Sequence, residues 1–304
     1  MAKQKNIDRV IIIVGPTSSG KSALAVELAI KFGGEVVSAD SRQVYRGLNI
    51  GTGKVTKREM KDVRHHLLDV ASAKKIFTAQ EYVTRGRRVI SDILARGKLP
   101  IVCGGTGFYI DALLGRLALP DVPPNLRLRE KLEKKTAQQL LALLKRRDLR
   151  RAKSIDPQNK RRLIRALEIN AALGKVPAAQ KIMIYHNVLW IGLAVPPEEL
   201  RLKINARLKQ RLKSGMITEA KRLHQQGLSY KRMAELGLEY RSLARFLQKH
   251  ISRDELERQL RNAIWRYAKR QMTYWRRNRD IVWLKTNSTR RLETEIKAFL
   301  KSGR

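Results

Sequence analysis

The stretch Gly15-Pro16-Thr17-Ser18-Ser19-Gly20-Lys21-Ser22 decides the fold, because it fits the phosphate-binding pattern G-x-x-x-x-G-K-[ST]. The apolar, mostly β-branched run at residues 10–14 predicts a buried strand before it, and residues 23–32 predict a helix after it. A loop that enters a helix N-terminus gathers backbone N–H groups and the positive end of the helix dipole, which together attract phosphate oxygens. We therefore expect a ligand with at least two linked phosphates, with Lys21 as a cation and the Ser22 hydroxyl as a ligand of Mg²⁺.

The composition points to a polyanionic partner. The 304 residues include 65 Lys and Arg against 27 Asp and Glu, which gives a net charge of +38. Such a charge favours nucleic acid or an anionic membrane surface. The single cysteine, Cys103, cannot form an intramolecular disulfide, which fits a reducing cytoplasm. No apolar run approaches the ~20 residues that a membrane span needs. Of the two polyanionic partners, we expect nucleic acid and not a membrane.

The first part of the chain alternates between strand and helix patterns. Residues 35–41 predict a strand that ends at the acidic Asp40, and Thr78 to Glu81 has the spacing of a capping box for a helix ending near Arg96. Residues 99–103 predict another buried strand. This alternation is typical of an α/β fold, here a P-loop NTPase-like core with a parallel sheet.

A helical insertion interrupts this core. Three prolines at residues 120–124 break the alternation, and residues 125–173 predict helices only, one of them beginning at Asp156-Pro157. A strand pattern returns at residues 187–195. After it we predict mainly helices, including one opened by a capping box at Ser252, and a last strand at residues 281–284. We therefore divide the chain into a core, residues 1–118 and 187–304, and an insertion, residues 119–186.

Basic residues concentrate in two stretches. Residues 127–165 contain 15 Lys and Arg against 4 Asp and Glu, and residues 261–291 contain 10 against 1. Phosphate contacts from such helices would give salt-dependent affinity for nucleic acid.

Two polar segments should lie at the same sheet edge as the phosphate loop. Asp40 follows one predicted strand, and Gly104-Gly105-Thr106-Gly107 follows another. Asp40 could be a Mg²⁺-associated carboxylate of a kinase, a general base, or the side chain of a tight turn. No Asp ends the strand at residues 99–103, which argues against ATP hydrolysis.

These segments resemble one family, the bacterial tRNA dimethylallyltransferases, also called tRNA isopentenyl transferases. The similarity spans most of the chain, and its matching pieces are GPTSSGKS at 15–22, SADSRQVYRGLNIGTGK at 38–54, HHLLD at 65–69, GGTGFYIDALL at 104–114, DPQNKRRLIRALEI at 156–169, INARL at 204–208 and YAKRQMTYW at 267–275.

The resemblance implies a specific reaction. The dimethylallyl group of dimethylallyl diphosphate moves to N6 of the adenosine on the 3′ side of the anticodon of tRNA, and diphosphate leaves. The resemblance makes Asp40 the general base, and it places Lys21, the rest of the P-loop, Arg207 and Mg²⁺ near Ser22 around the diphosphate. Thr106 would contact the tRNA near the target base, which must leave the anticodon-loop stack.

The resemblance also implies a set of residues that contact the anticodon stem-loop of tRNA. They are Asp40, Ser41, Arg42, Gln43, Thr106, Arg127, Arg161, Arg162, Leu163, Ile164 and Arg165. We expect a cytoplasmic monomer.

Three alternatives remain open from the sequence. A related isopentenyltransferase acts on free adenine nucleotides, although the charge of the chain argues against it. A small-molecule P-loop kinase would turn over ATP without tRNA. A non-catalytic RNA-binding protein would not need Lys21, Asp40 and Thr106 together.

Overall fold

A computed structural model describes residues 9–117, 119–177, 184–185, 187–285 and 289–301. The chain divides into two compact units, with boundaries after residues 115 and 182. The first unit contains the sheet and the second contains only helices. The strands are β1 (Arg9–Val14), β2 (Gly34–Ser38), β3 (His65–His66), β4 (Leu99–Cys103), β5 (Asn187–Ala194) and β6 (Ile281–Lys285).

The helices of the first unit fall on both sides of the second unit in the sequence. They are α1 (Lys21–Phe32), α2 (Lys57–Met60), α3 (Ala79–Ala95), α4 (Gly107–Leu113), α9 (Pro197–Lys213), α10 (Met216–Gln225), α11 (Tyr230–Leu236), α12 (Leu238–Leu247), α13 (Arg253–Trp275) and α14 (Thr289–Lys301). The second unit contains α5 (Leu126–Glu133), α6 (Ala137–Arg147), α7 (Leu149–Ser154) and α8 (Lys160–Leu173).

The described strands form one parallel sheet of six, in the order β3-β2-β4-β1-β5-β6. Strand β1 lies between β4 and β5, with Ile11 opposite both Ile101 and Leu189. Residues 10–14 are fully buried, as expected for a strand covered on both faces. Because β1 is inside the sheet, the loop that follows it lies at the centre of the carboxyl edge, where α/β proteins bind ligands.

Helices α1 and α14 cover one face of the sheet. Ala25 and Leu28 of α1 and Ile296 of α14 pack in one cluster with Ile11 and Ile13 of β1. Side chains alternate between the faces of a strand, so the fully buried Ile12 faces the other side. This double coverage holds β1, and therefore the start of the phosphate loop, in a rigid core.

The second unit has its own small apolar core. Leu140 and Leu144 of α6 pack with Leu163 and Leu167 of α8. The predicted helix start at Asp156-Pro157 is wrong, because α8 begins at Lys160 and Asn159 is its N-cap. The Asp156 carboxylate instead accepts a hydrogen bond from the backbone N–H of Gln158 at 3.1 Å, which closes a turn before the helix.

Most other predicted elements are confirmed, with three differences. Strand β2 ends at Ser38, so Asp40 lies in the loop after it and not in the strand. Ser252 caps α13 through the Glu255 N–H at 3.2 Å, but the Glu255 side chain binds Arg258 and Gln259, so the reciprocal half of the capping box is absent. The sequence patterns also gave no indication of the short strand β3.

Candidate phosphate-binding and transfer site

The phosphate loop is built by two glycines with backbone conformations that other residues rarely adopt. Gly15 has a φ of 143° and Gly20 a φ of 93°, and Gly20 is the N-cap of α1. A Cβ on Gly15 would lie 2.8 Å from the carbonyl oxygen of Leu193 on β5. The loop can therefore close tightly over the sheet edge only with glycine at residue 15.

The loop forms one wall of a cavity of about 220 Å³. Two kinds of surface line it: a polar part around the phosphate loop, and an apolar part from several elements. The polar lining includes Thr17, Ser18, Ser19, Gly20, Lys21, Ser22, Asp40, Gln43, Thr52, Gly53, Glu59, Gly104, Gly105, Arg207, Tyr267 and Gln271, and the apolar lining includes Val36, Val55, Leu68 and Cys103. The cavity can therefore hold a ligand with a charged end and a small apolar end.

Lys21 places its ammonium group within the phosphate loop. Its Nζ donates a hydrogen bond to the carbonyl oxygen of Pro16 at 2.5 Å. Burial lowers the pKa of Lys21 to about 8, because the charged form loses hydration. A bound anion would favour the charged form again, so phosphate binding would promote protonation of Lys21.

The loop also offers hydroxyl groups without protein partners. Ser19 Oγ is buried and has no hydrogen-bond partner among the residues that the structure describes. Ser22 is exposed at the cavity and belongs to the first turn of α1. No group of three or more His, Cys, Asp and Glu in the described chain could hold a metal ion. The hard oxygen of Ser22 fits Mg²⁺ only as one ligand, with diphosphate oxygens and water as the others.

Asp40 lines the cavity with a fixed orientation. Its Oδ1 accepts the backbone N–H groups of Arg42 at 2.8 Å and Gln43 at 3.2 Å. The tight-turn interpretation of this carboxylate is therefore correct, and it is compatible with a chemical role. Both of these bonds end on one oxygen, and within the described part of the chain Oδ2 makes no hydrogen bond, so it can take a proton.

Thr106 lies beside this turn at the start of α4. Its Oγ1 accepts the Ser41 N–H at 3.1 Å and is hydrogen-bonded to the Tyr267 hydroxyl. Burial raises the pKa of Tyr267, so this hydroxyl stays protonated. A hydroxyl can both accept and donate, so Thr106 can also act as a donor. Thr106, Ser41 and Arg42 adjoin the cavity without lining it.

Arg207 reaches the cavity from helix α9. Its Nη2 donates to the carbonyl oxygen of Gly53 at 2.9 Å. Burial, and then the neighbouring Arg211 cation, lower the pKa of Arg207. The structure thus places Arg207 together with Lys21 and Asp40 around one cavity, although 186 and 167 residues separate Arg207 from them in the sequence.

Two residues on helix α13 were missed as site residues by the sequence reasoning. Tyr267 and Gln271 lie four residues apart and both line the cavity. They stand in the YAKRQMTYW segment, which carried the resemblance but had no residue-level role. Their helical spacing, which puts both on one face, was the available signal.

The residues predicted to bind tRNA in the second unit fall into three groups. Arg127, Arg161 and Arg162 are exposed. Arg165 is half-buried and donates to the Val122 carbonyl oxygen at 2.8 Å and to Glu168 at 3.3 Å. The side chains of Leu163 and Ile164 are buried in the core of the unit, and their contact with tRNA stays a prediction.

The parallel sheet and the phosphate-loop cavity define a protein of the P-loop NTPase-like class. A family model described as IPP transferase matches residues 43–278. The chain belongs to this IPP transferase family. Among its curated relatives, the tRNA dimethylallyltransferase of Anoxybacillus flavithermus is 36% identical over 297 residues, which covers 96% of this chain and 95% of the relative. The tRNA dimethylallyltransferase of Thermomicrobium roseum is 40% identical over 280 residues, covering 90% and 85%.

Solved structures agree with this assignment. The full-length tRNA isopentenylpyrophosphate transferase of Bacillus halodurans matches with a TM-score of 0.72 at 34% identity, covering 96% of this chain and 95% of that one. A eukaryotic dimethylallyltransferase acting on tRNA matches with a TM-score of 0.84 at 26% identity, covering 96% and 79%. The curated relatives and the solved structures are all transferases that act on tRNA by name, which agrees with the family match.

Proposed function

We propose that the chain transfers the dimethylallyl group from dimethylallyl diphosphate to N6 of the adenosine on the 3′ side of the anticodon in tRNA. The observation that carries the proposal is that a phosphate loop and a carboxylate held by backbone hydrogen bonds, Asp40, line the same cavity. The relatives named tRNA dimethylallyltransferase support the reaction and favour it over transfer to free nucleotides or a kinase activity.

The bond changes assign a task to each side of the cavity. The N6 lone pair attacks the allylic carbon, the bond from that carbon to the diphosphate oxygen breaks, and diphosphate leaves with the electron pair. The N6 proton passes to Asp40 Oδ2. The amine is a poor nucleophile because its lone pair is delocalised into the ring, so removal of this proton during attack lowers the barrier.

Negative charge grows on the diphosphate as the bond breaks. The phosphate loop, Lys21 and Arg207 line the cavity, and in this proposal their N–H groups and positive charges stabilise the leaving diphosphate. Mg²⁺, held by Ser22 together with diphosphate oxygens, would neutralise part of it when bound. The apolar lining residues Val36, Val55 and Leu68 suit the short hydrocarbon chain of the donor.

Thr106 suits the acceptor side. Its Oγ1 accepts the Ser41 N–H, and its hydroxyl can rotate to donate its proton to an acceptor on a base. A ring nitrogen of adenine is such an acceptor. Thr106 would therefore orient the base that Asp40 deprotonates.

The tRNA is the macromolecular partner in this proposal. The exposed Arg127, Arg161 and Arg162 of the second unit would contact its phosphates. Among the described residues, no helix is both long and apolar enough to cross a membrane. We also propose that the enzyme acts as a monomer in the cytoplasm, where its tRNA substrates are.

The test is incubation with unmodified tRNA and dimethylallyl diphosphate, followed by mass spectrometry of the nucleosides. Parallel reactions contain AMP in place of tRNA, or ATP without tRNA and without the prenyl donor. A prenylated adenosine only with tRNA and the prenyl donor supports the proposal. Prenylated AMP, or ATP turnover without tRNA, would support the corresponding alternative.

A further inference from the structure

The side chain of Gln271 joins two loops that the proposed reaction uses separately. Gln271 is 5% exposed. Its Oε1 accepts the backbone N–H of Thr17 in the phosphate loop at 2.8 Å, and its Nε2 donates to the carbonyl oxygen of Gly105 at 3.0 Å. One amide therefore connects the loop after β1 to the loop after β4, 166 residues away from Gln271 in the sequence.

The side-chain amide of Gln271 explains why residue 105 is a glycine. A Cβ on Gly105 would lie 1.9 Å from Gln271 Nε2, and its next neighbours are Gln271 Cδ at 3.2 Å and Tyr267 Oη at 3.7 Å. Gly105 is not among the described glycines that have a positive φ, so an alanine could adopt its backbone conformation. Gly104 differs, because a Cβ there would lie 2.2 Å from the backbone oxygen of Ala39.

Tyr267 strengthens the connection from one helical turn earlier on α13. It lines the same cavity and its hydroxyl binds Thr106, the residue after Gly105. Helix α13 therefore touches the phosphate loop through Gln271 and the acceptor-side loop through both residues. An amide that accepts from one loop and donates to the other fixes both in one geometry, since reversing the amide would lose both bonds.

We propose that Gln271 is a positioning residue that fixes the phosphate loop, and with it the leaving diphosphate, relative to the loop that carries Thr106. The part of this proposal that concerns transfer rests on the proposed function. The part that concerns the phosphate loop does not, because diphosphate binding alone tests it. A small misplacement of donor against acceptor lowers the rate of a two-substrate reaction strongly, because the reacting atoms must meet in line.

The experiment compares Gly105→Ala, Gln271→Ala and the double variant with the wild-type protein. Calorimetry with inorganic diphosphate and Mg²⁺ measures the phosphate loop without any transfer reaction. Steady-state assays give kcat and the KM of each substrate, and thermal unfolding confirms that each variant folds. Gln259→Ala is the matched control, since Gln259 lies on the same helix outside the cavity lining.

We expect each single variant to weaken diphosphate binding by roughly 3- to 10-fold, the effect of one net hydrogen bond. The donor KM should rise and kcat should fall, while the KM for tRNA stays unchanged. The double variant should be no worse than Gln271→Ala, because the added methyl group then occupies the vacated space. Gln259→Ala should bind diphosphate like the wild type.

Multiplicative losses in the double variant would overturn the proposal, because Gly105 and Gln271 would then act independently. Unchanged diphosphate binding and an unchanged donor KM in Gln271→Ala would also overturn it. If Gln271→Ala does not fold, Gln271→Met keeps the shape without the two hydrogen bonds and serves in its place. Failure of the wild-type protein to prenylate tRNA would refute the proposed function and leave the calorimetric comparison valid.

Discussion

Arg207 donates a hydrogen bond to the carbonyl oxygen of Gly53 at 2.9 Å, across 154 residues of sequence. Gly53 has a φ of 60°, and a Cβ on it would lie 2.9 Å from the same guanidinium nitrogen. Both residues line the cavity that contains the phosphate loop. The guanidinium is therefore held at the cavity by a backbone oxygen, and its remaining N–H groups are available to an anion.

Replacing Arg207 with Gln should raise the donor KM and lower kcat, because the arginine meets the diphosphate before and during bond breaking. We expect a loss of roughly 10- to 100-fold in kcat/KM for the donor, the range for a hydrogen bond to a charged group. Lys209→Gln removes an exposed cation from the same helix and serves as control. If the two variants have the same kinetics, Arg207 acts only through the overall positive charge of the protein.

Diphosphate affinity should fall as pH rises above about 8, the pKa of Lys21. Below this pH the ammonium is charged in the free protein and binding is at full strength. Above it, binding must first protonate the lysine, which costs up to about tenfold in affinity per pH unit. Lys21→Arg keeps its charge throughout, so the wild-type affinity divided by that of this variant should decline from about pH 7 to 9. A constant ratio would refute the role of Lys21 as the titrating group.

The exposed arginines of α8 should supply phosphate contacts. Changing Arg161 and Arg162 to Gln together should weaken tRNA binding and flatten the log–log salt slope by up to ~2 units, at roughly 0.7–0.9 per lost contact. Diphosphate binding should not change. Lys145→Gln with Arg146→Gln removes the same charge from exposed residues of α6 and controls for net charge. An equal loss from both pairs would mean that α8 has no particular contact with tRNA.

Glu219 should hold the loop that carries Gly53. Its buried carboxylate accepts the backbone N–H groups of Asn49, Ile50 and Gly51 at 3.0, 2.8 and 2.8 Å, and the Tyr240 hydroxyl at 2.7 Å. An amide would turn an N–H group toward these donors, so Glu219→Gln should lower the free energy of unfolding by about 1–3 kcal/mol.

Glu219→Gln should also raise the donor KM, since the loop that carries Gly53 lines the cavity. Tyr240→Phe leaves the three backbone bonds in place and should cost only about 0.5–1.5 kcal/mol in denaturant unfolding. An equal loss of stability in the two variants would contradict the assigned role of Glu219.

The local features of the fold could be predicted from the sequence. The phosphate loop, the Thr78 capping box and the alternation of strands and helices depend on residues close in sequence, and the structure contains all three. From the sequence, the roles of turn residue and reactive carboxylate both stayed open for Asp40. The structure shows that one oxygen makes the turn while the residue lines the cavity.

The long-range polar contacts could not be predicted in the same way. Gln271 and Glu219 meet backbone groups more than 160 residues away, and nothing in their local sequence indicates those partners. For Leu163 and Ile164, a matching motif implied contact with tRNA, but it gave no indication that the inner face of α8 buries their side chains.

The central claim is that Asp40 removes the N6 proton during transfer. Asp40→Asn retains an oxygen for the Arg42 and Gln43 N–H groups, so the turn should persist. Diphosphate and tRNA should bind as in the wild type. The decisive measurement is the single-turnover rate of adenosine prenylation with tRNA and donor bound. We predict a fall of roughly 10²–10⁴-fold, the range for loss of a general base. A rate close to that of the wild type would contradict the account.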